Sequence, residues 1–448
     1  MFREGRVPAV LPDEYRRRRQ RLMDAMEGGS VALLPSARVR YRNRDAEYPF
    51  RQDSDFYYLT GFEEPDCVLV LVPGRTQGET VLFCRDRDAR AERYTGERLG
   101  PERAAQVLGL DDAFPYADLD DILPGIVEGR ERVHVTLGDH PDFDRRLIGW
   151  VTDLRAKQAS GASPPGEFVS LNALLHEQRL YKSPAERGLM ERAAEITARA
   201  HFRAMRRCAP GVTEGQLEAE LAHEFLASGA RSPAYPSIVA GGRNACVMHY
   251  MRNDGVLHDG DLVLIDAGCE FEHYAADVTR TFPVNGTFTT PQRELYEVVL
   301  AAQMAALDAA VAGADFLAPH RAATRVLTEG LIDFGLLGTS FEEAIETEAY
   351  RQYTVHNSSH WLGIDVHDVG DYRVDGAWRT LEPGMAITVE PGLYFPDDGS
   401  AGDVPAHWRG VGIRIEDDVL IEEHGSLVLT ADVPKTVDDI EALMSEAS

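Results

Sequence analysis

Apolar and polar positions follow two regimes along the chain. From residue 12 to about 180, short apolar runs alternate with helical patterns. Pro12-Asp13-Glu14 opens a basic amphipathic helix running through Arg21, with Leu22, Met23 and Met26 turned inward. Ser30 to Leu34, Cys67 to Val72 and Thr80 to Cys84 have strand length and composition, and the turn-rich Pro73-Gly74-Arg75-Thr76 joins the last two. This alternation predicts an α/β domain over 1–180. The regime changes at Leu180-Tyr181-Lys182-Ser183-Pro184. Ser183 is an N-cap, Pro184 suits the first turn, and Glu186 completes a capping box for a helix reaching about Arg207. Thr213 with Gln216 starts another helix, with Leu217, Leu221 and Phe225 on one stripe and Gly229 as its stop. Helical patterns also cover 291–311 and 319–334; strand patterns cover 262–269, 274–283, 385–391 and 411–422. Antiparallel strands with helices on one side predict an α+β domain over 181–448.

Polar residues break this pattern at informative places. Asp261 precedes the apolar run Leu262 to Ile265, and Asp266 then stands where the strand wants another hydrophobe. Asp277 follows eleven residues later on the expected return strand, Tyr274 to Phe282. A turn near Phe271-Glu272 would set the two acids opposite each other, with Cβ atoms roughly 5 Å apart. Unpaired carboxylates that close raise one another's pKa, and a divalent cation relieves the conflict. From this segment alone, two strand-end aspartates capping turns is an equal reading. The pattern recurs, however. Leu257-x-x-Gly260 followed by Asp266-x-Gly268 returns as Leu381-x-x-Gly384 followed by Glu390-x-Gly392. Two similar halves, each delivering an acid, predict a pseudo-symmetric core with a metal site at its middle.

Further candidates lie nearby. In Val411-Gly412-Ile413-Arg414-Ile415-Glu416 the isoleucines share one face and Arg414 with Glu416 the other, although a lone R-x-E reads as a surface ion pair. His356, His360 and His367 fall within twelve residues, on a Gly- and Ser-containing stretch that suits a loop. His249, alone in V-M-H-Y, reads by itself as structural. Asp266, Asp277, Glu390 and Glu416 together carry a charge that two divalent ions match. Oxygen-rich donors with one imidazole suit manganese, cobalt or iron, and zinc less specifically. Two adjacent ions with a bridging hydroxide would attack a carbonyl.

Composition narrows the classes. Hydrophobic residues at 44% and charged residues at 27% describe a globular protein, and a formal charge of −28 speaks against nucleic acid or an anionic membrane as partner. No apolar run approaches a membrane span, the N-terminus lacks a signal-peptide core, and the five scattered cysteines read as reduced thiols, so a cytoplasmic location is expected. The aromatic stretch from Tyr48 to Phe62 reads as core, oligomer interface or cleft wall.

D-L-V-L-I-D-A-G, A-D-V-T-R-T-F-P-V, S-H-W-L-G-I-D-V-H-D-V-G, T-V-E-P-G-L-Y and G-I-R-I-E-D-D, in this order, closely resemble the aminopeptidase P (Xaa-Pro aminopeptidase) family. Y-P-F-R-Q-D-S-D-F-Y-Y-L-T-G-F-E-E-P resembles its N-terminal domain. The resemblance implies a pita-bread catalytic domain and release of the N-terminal residue from peptides with proline second. It implies that Asp266, Asp277, His360, Glu390 and Glu416 hold two metals, usually manganese, with Asp277 and Glu416 bridging and Asp266 bidentate. Glu390 would handle the proton of the nucleophilic water, and His249 and His367 would stabilise the tetrahedral intermediate. His356 and Arg414 would line the proline side. Tyr235 and Asp45 would support the ligands, Asp45 reaching the site from the N-terminal domain of its own or a neighbouring subunit. Tyr94 replaces a tryptophan thought to wall the substrate pocket. A homodimer or homotetramer is implied. Prolidase is the nearest rival; methionine aminopeptidase, creatinase and a metal-free binding or scaffold member are remoter ones.

Overall fold

The computed structural model describes residues 12–400 and 402–446. They fall into two compact units, one ending at Arg179 and the other starting at Leu180.

In the first unit, the apolar runs become the strands Ser30–Pro35, Val68–Leu71 and Thr80–Cys84, paired antiparallel. Three short strands extend this sheet: Asp112–Pro115 lies parallel beside Thr80–Cys84, while Arg132–His134 and Glu167–Val169 add parallel on the opposite edge. Val31, Leu33, Val70 and Phe83 meet Leu123, Leu147 and Trp150 in one core. The helix Pro12–Ala25 is less simply amphipathic than its sequence predicts. Arg18 and Arg19 are buried, and their guanidinium groups donate to the carbonyls of Tyr58, Leu59 and Leu108. Burying these charges is tolerable because carbonyl oxygens replace the lost water. Phe56, Tyr57, Tyr58 and Phe62 of the aromatic stretch are core residues, whereas Tyr48 is exposed.

The second unit opens with the helix Pro184–Arg207, whose capping box forms between Ser183 and Glu186. Glu214–Ala227 follows, capped by Thr213 and Gln216. Each cap contributes about 1 kcal/mol. Leu217, Leu221 and Phe225 join Ala193, Ile196 and Ala200 against the strand residues Val263 and Ile265. The helices Thr290–Ala309 and Ala318–Asp333 cover the second half, where Leu295, Val299 and Leu327 share the core with Ile387, Val389, Ile413 and Ile415. The strands that carry the site form two antiparallel half-sheets. The first runs Thr279–Pro283, Leu262–Asp266, Ile238–Gly241. The second runs Ala386–Val389, Asp417–Ile421, Ser426–Val428, with Gly392–Phe395 and Val411–Arg414 continuing it as a separate ladder.

The hairpin around Asp266 differs from expectation. Its turn is Glu272-His273, both at positive φ (48° and 70°), as a two-residue hairpin turn requires. The return segment is broken into Tyr274–Ala275 and Thr279–Pro283. Asp266 pairs with Thr279 and Glu270 with Ala275, so Gly268, not Asp266, lies across from Asp277. The two aspartates are therefore diagonal neighbours on one face. Gly268 has a steric reason: a Cβ there would sit 1.7 Å from the carbonyl oxygen of Ala276.

Candidate active site

Apolar strands that end in acids aim those acids at one place. A cleft of about 460 Å³, within the usual size for a small-ligand site, is lined by Asp266, Asp277, His360, Glu390 and Glu416. His249, His356, His367 and Arg414 line it too. In the second half, Val389 pairs with Asp417 and Gly392 with Arg414, which sets Glu390 across from Glu416. One ligand atom from each of Asp277, His360 and Glu416 lies within 4.8 Å of the other two.

The arrangement fits a divalent metal. His360 Nδ1 lies 3.0 Å from the carbonyl oxygen of Trp361, where it donates, and this leaves Nε2 facing Asp277 (3.4 Å) and Glu390 (3.8 Å). A carbonyl on one imidazole nitrogen with the other turned toward acids is how a ligating histidine is held. The acids strain against each other. Burial, with Asp277, Glu390 and Asp266 around it, holds the Glu416 carboxyl well above its usual range. Burial raises Asp266 against the pull of Arg414, and raises Glu390 to about 7. Burial also acts on Asp277, but the hydrogen bond and charge of His360 outweigh it and hold this carboxyl low. His360 is pushed up to about 9 because the same acids outweigh its burial. Bound cations would relieve every one of these upward shifts among the acids.

Neighbouring groups orient the donors. The Tyr235 hydroxyl lies 2.7 Å from Asp266 Oδ1 and 2.5 Å from Asp277 Oδ1. Burial, then the charges of Asp266 and Asp277, raise its pKa well above normal, so it remains a donor. Arg414 is not the surface partner that an isolated R-x-E suggests. It is buried, and its Nη2 donates to Asp266 Oδ2 (2.6 Å), its Nε to Thr279 Oγ1 (3.0 Å) and its Nη1 to the Tyr394 hydroxyl (3.0 Å). His356 Nε2 lies 2.7 Å from that same hydroxyl, and burial beside Arg414 lowers its pKa to about 4, so it is neutral. His367 lies beside His360 with the rings tilted at 56° and centroids 4.2 Å apart, and burial lowers its pKa. Asp45 and Tyr94 belong to the first unit, where both are exposed, Tyr94 to 83%.

Sequence reasoning passed over Thr279, Asp418 and Tyr394. Thr279 Oγ1 donates to Glu416 Oε2 at 2.6 Å, and Asp418 accepts the Asp277 N–H at 3.0 Å. Period-two spacing from Asp277 to Thr279 and from Glu416 to Asp418 was the available signal. Tyr394 shared it, four residues beyond Glu390 on the same face.

An antiparallel core whose two halves converge on buried acids and an oriented imidazole defines a metallohydrolase of the pita-bread class. The chain belongs to metallopeptidase family M24, whose model matches residues 188–423, and to its aminopeptidase P branch, whose N-terminal domain model matches residues 15–135. It is 45% identical to the Xaa-Pro aminopeptidase of Escherichia coli K12, over 97% of this chain and 98% of that one. The structure of a Pseudomonas aeruginosa aminopeptidase superposes with a TM-score of 0.97 at 55% identity, covering 98% of this chain and 99% of that one. Aminopeptidase P from E. coli with the inhibitor Pro-Leu superposes at 0.94 with 44% identity, covering 98% and 99%.

Proposed function

We infer that this chain is a metal-dependent Xaa-Pro aminopeptidase, hydrolysing the bond between an N-terminal residue and a following proline. The observation that carries this reading is the convergence of four acids and one oriented imidazole in a single cleft, within a chain similar over nearly its whole length to Xaa-Pro aminopeptidases. Asp266, Asp277, His360, Glu390 and Glu416 would hold two divalent ions, of which manganese is our choice, with cobalt, iron and zinc as alternatives. When bound, the ions supply Lewis acidity and lower the pKa of a water toward neutrality.

The remaining work falls to the chain's own groups. Glu390, which lines the cleft across from Glu416, would take a proton from water and return it to the leaving proline nitrogen. His249 and His367 would donate to the oxygen that becomes negative when the carbonyl is attacked. Neutral His356 would line the proline side, and Arg414 would hold Asp266 there. Tyr235 would bridge Asp266 and Asp277, donating to one of them at a time, with Asp45 supporting the ligands and Tyr94 offering an aromatic face to substrate. An X-Pro bond has no N–H, so peptidases that grip that hydrogen fail on it.

We propose two domains, 1–180 and 181–448, a homodimer or homotetramer, and a cytoplasmic location. Support for the location comes from five free thiols and from the finding that no helix among the described residues is long and apolar enough to cross a membrane. The test of substrate class is hydrolysis of an X-Pro dipeptide, X-Pro-Y and longer peptides, each with a chelator control. Chelator-sensitive release of X from the longer peptides is expected. Cleavage of the dipeptide alone would reassign the chain as a prolidase.

A further inference from the structure

We propose that Glu214 is a positioning residue for His249, holding the 241–255 segment that carries the histidine against the cleft. This rests on the reading of His249 as a turnover residue.

His249 is exposed, and its neighbours Val247 and Met251 are exposed as well. No hydrogen bond to its ring occurs among the described residues, so its place depends on what anchors the loop. The main anchor is a buried carboxylate at the start of the helix Glu214–Ala227. Glu214 Oε1 accepts from the Gly241 N–H (2.8 Å) and from Asn244 Nδ2 (2.8 Å). Glu214 Oε2 accepts from the Gly255 N–H (2.7 Å) and from the Tyr250 hydroxyl (2.8 Å). The four donors bracket His249 on both sides. All are neutral, and no cation pairs with Glu214 among the described residues.

The surroundings are shaped for this contact. A Cβ at Gly255 would lie 2.9 Å from Glu214 Oε2, so a side chain there would push the carboxylate away. The Glu214 N–H donates to the Gly255 carbonyl at 2.9 Å, closing the loop's far end onto the helix. Asn253, at φ 48°, fastens the same end to the strand Ile238–Gly241 by accepting the Val239 N–H and donating to the Ser237 carbonyl. Burial and the Glu214 charge push the Tyr250 hydroxyl up to about 12, which keeps it a donor.

Both Glu214 oxygens are used twice, which gives the test its edge. Glu214→Gln must turn an NH₂ toward two donors and so release one side of the loop. The expected result is a fall in kcat of about tenfold to a hundredfold, as small misplacements of a reacting group produce, with KM and metal content near wild type. In a His249→Ala background, Glu214→Gln should change kcat by less than about twofold, since the residue it positions is gone. Multiplying losses would overturn the inference, as would full activity of Glu214→Gln beside a slow His249→Ala. Normal turnover by His249→Ala would instead overturn the reading of that histidine. Should Glu214→Gln fail to fold, Tyr250→Phe removes one of the four donors without setting donor against donor. It should lower kcat about threefold in the wild type and leave His249→Ala unchanged; equal loss in both backgrounds would overturn the inference.

Discussion

The two halves of the second unit use one strand, acid and glycine device in different ways. In the first half, Asp266 faces Thr279 and Gly268 faces Asp277. In the second, Glu390 faces Glu416 and Gly392 faces Arg414. Of the six polar positions, four are acids, and the two exceptions serve the opposite half. Thr279 donates to Glu416, and Arg414 donates to Asp266 and Thr279. Six acids would leave a buried charge that two divalent ions could not match. Replacing one by a hydroxyl and one by a guanidinium leaves four acids, one of them paired with Arg414, and ties the half-sheets together. Near-symmetry supplies the convergence; departure from symmetry sets the charge.

Removing an acid from either half should have the largest effect. Asp277→Asn and Glu416→Gln should each weaken metal binding by more than about a hundredfold, beyond the range of indirect contacts, measured by metal titration and activity. If only one half mattered, the device would not be shared. The glycines should separate the halves next. Gly268→Ala meets backbone at 1.7 Å, whereas the tightest contact at Gly392 is the Tyr394 hydroxyl at 2.6 Å, followed by the Ile413 carbonyl at 2.8 Å. Thermal unfolding should show a loss of about 3 kcal/mol or more for the first and less for the second. Equal losses would remove the steric distinction between the two turns.

His367→Ala should lower kcat about a hundredfold while two metals remain bound; loss of metal would make it a ligand. Thr279→Val, which cuts the link between halves, should cost about tenfold in metal affinity. The pH dependence of the metal-free protein is the finest probe. Glu390, raised to about 7, keeps its proton when folded but loses it near 4.5 when unfolded, so stability falls as pH rises across that window. His360, raised to about 9, contributes stability that is full below about 6.5 and lost as pH rises through 9. Both signs agree, and His356, lowered to about 4, acts the other way only below about 6.5, so metal-free protein should melt lower at pH 9 than at pH 7. Metal-loaded protein should show a smaller change, because a cation replaces the proton.

Much of this site was legible in the chain because an acid ending an apolar strand is an anomaly, and the anomaly occurred twice. Capping boxes at Ser183 and Thr213 were legible because their partners lie three residues apart. Register was less so. The diagonal placement of Asp266 and Asp277 follows from where the hairpin turns, and Glu272-His273 carries no Asn-Gly signal. Buried Arg18 and Arg19 read as solvent-facing because their acceptors are carbonyls 40 and more residues away. Glu214 went unremarked, since its partner Gly255 lies 41 residues later and nothing local announces the contact.

The most direct measurement is metal content per chain set against activity, as metal is stripped by chelation and restored. Two divalent ions per chain, with hydrolysis of X-Pro-Y lost on their removal and regained on their return, is the expected result. Full hydrolysis by protein carrying none would contradict the reading of Asp266, Asp277, His360, Glu390 and Glu416 as one metal centre.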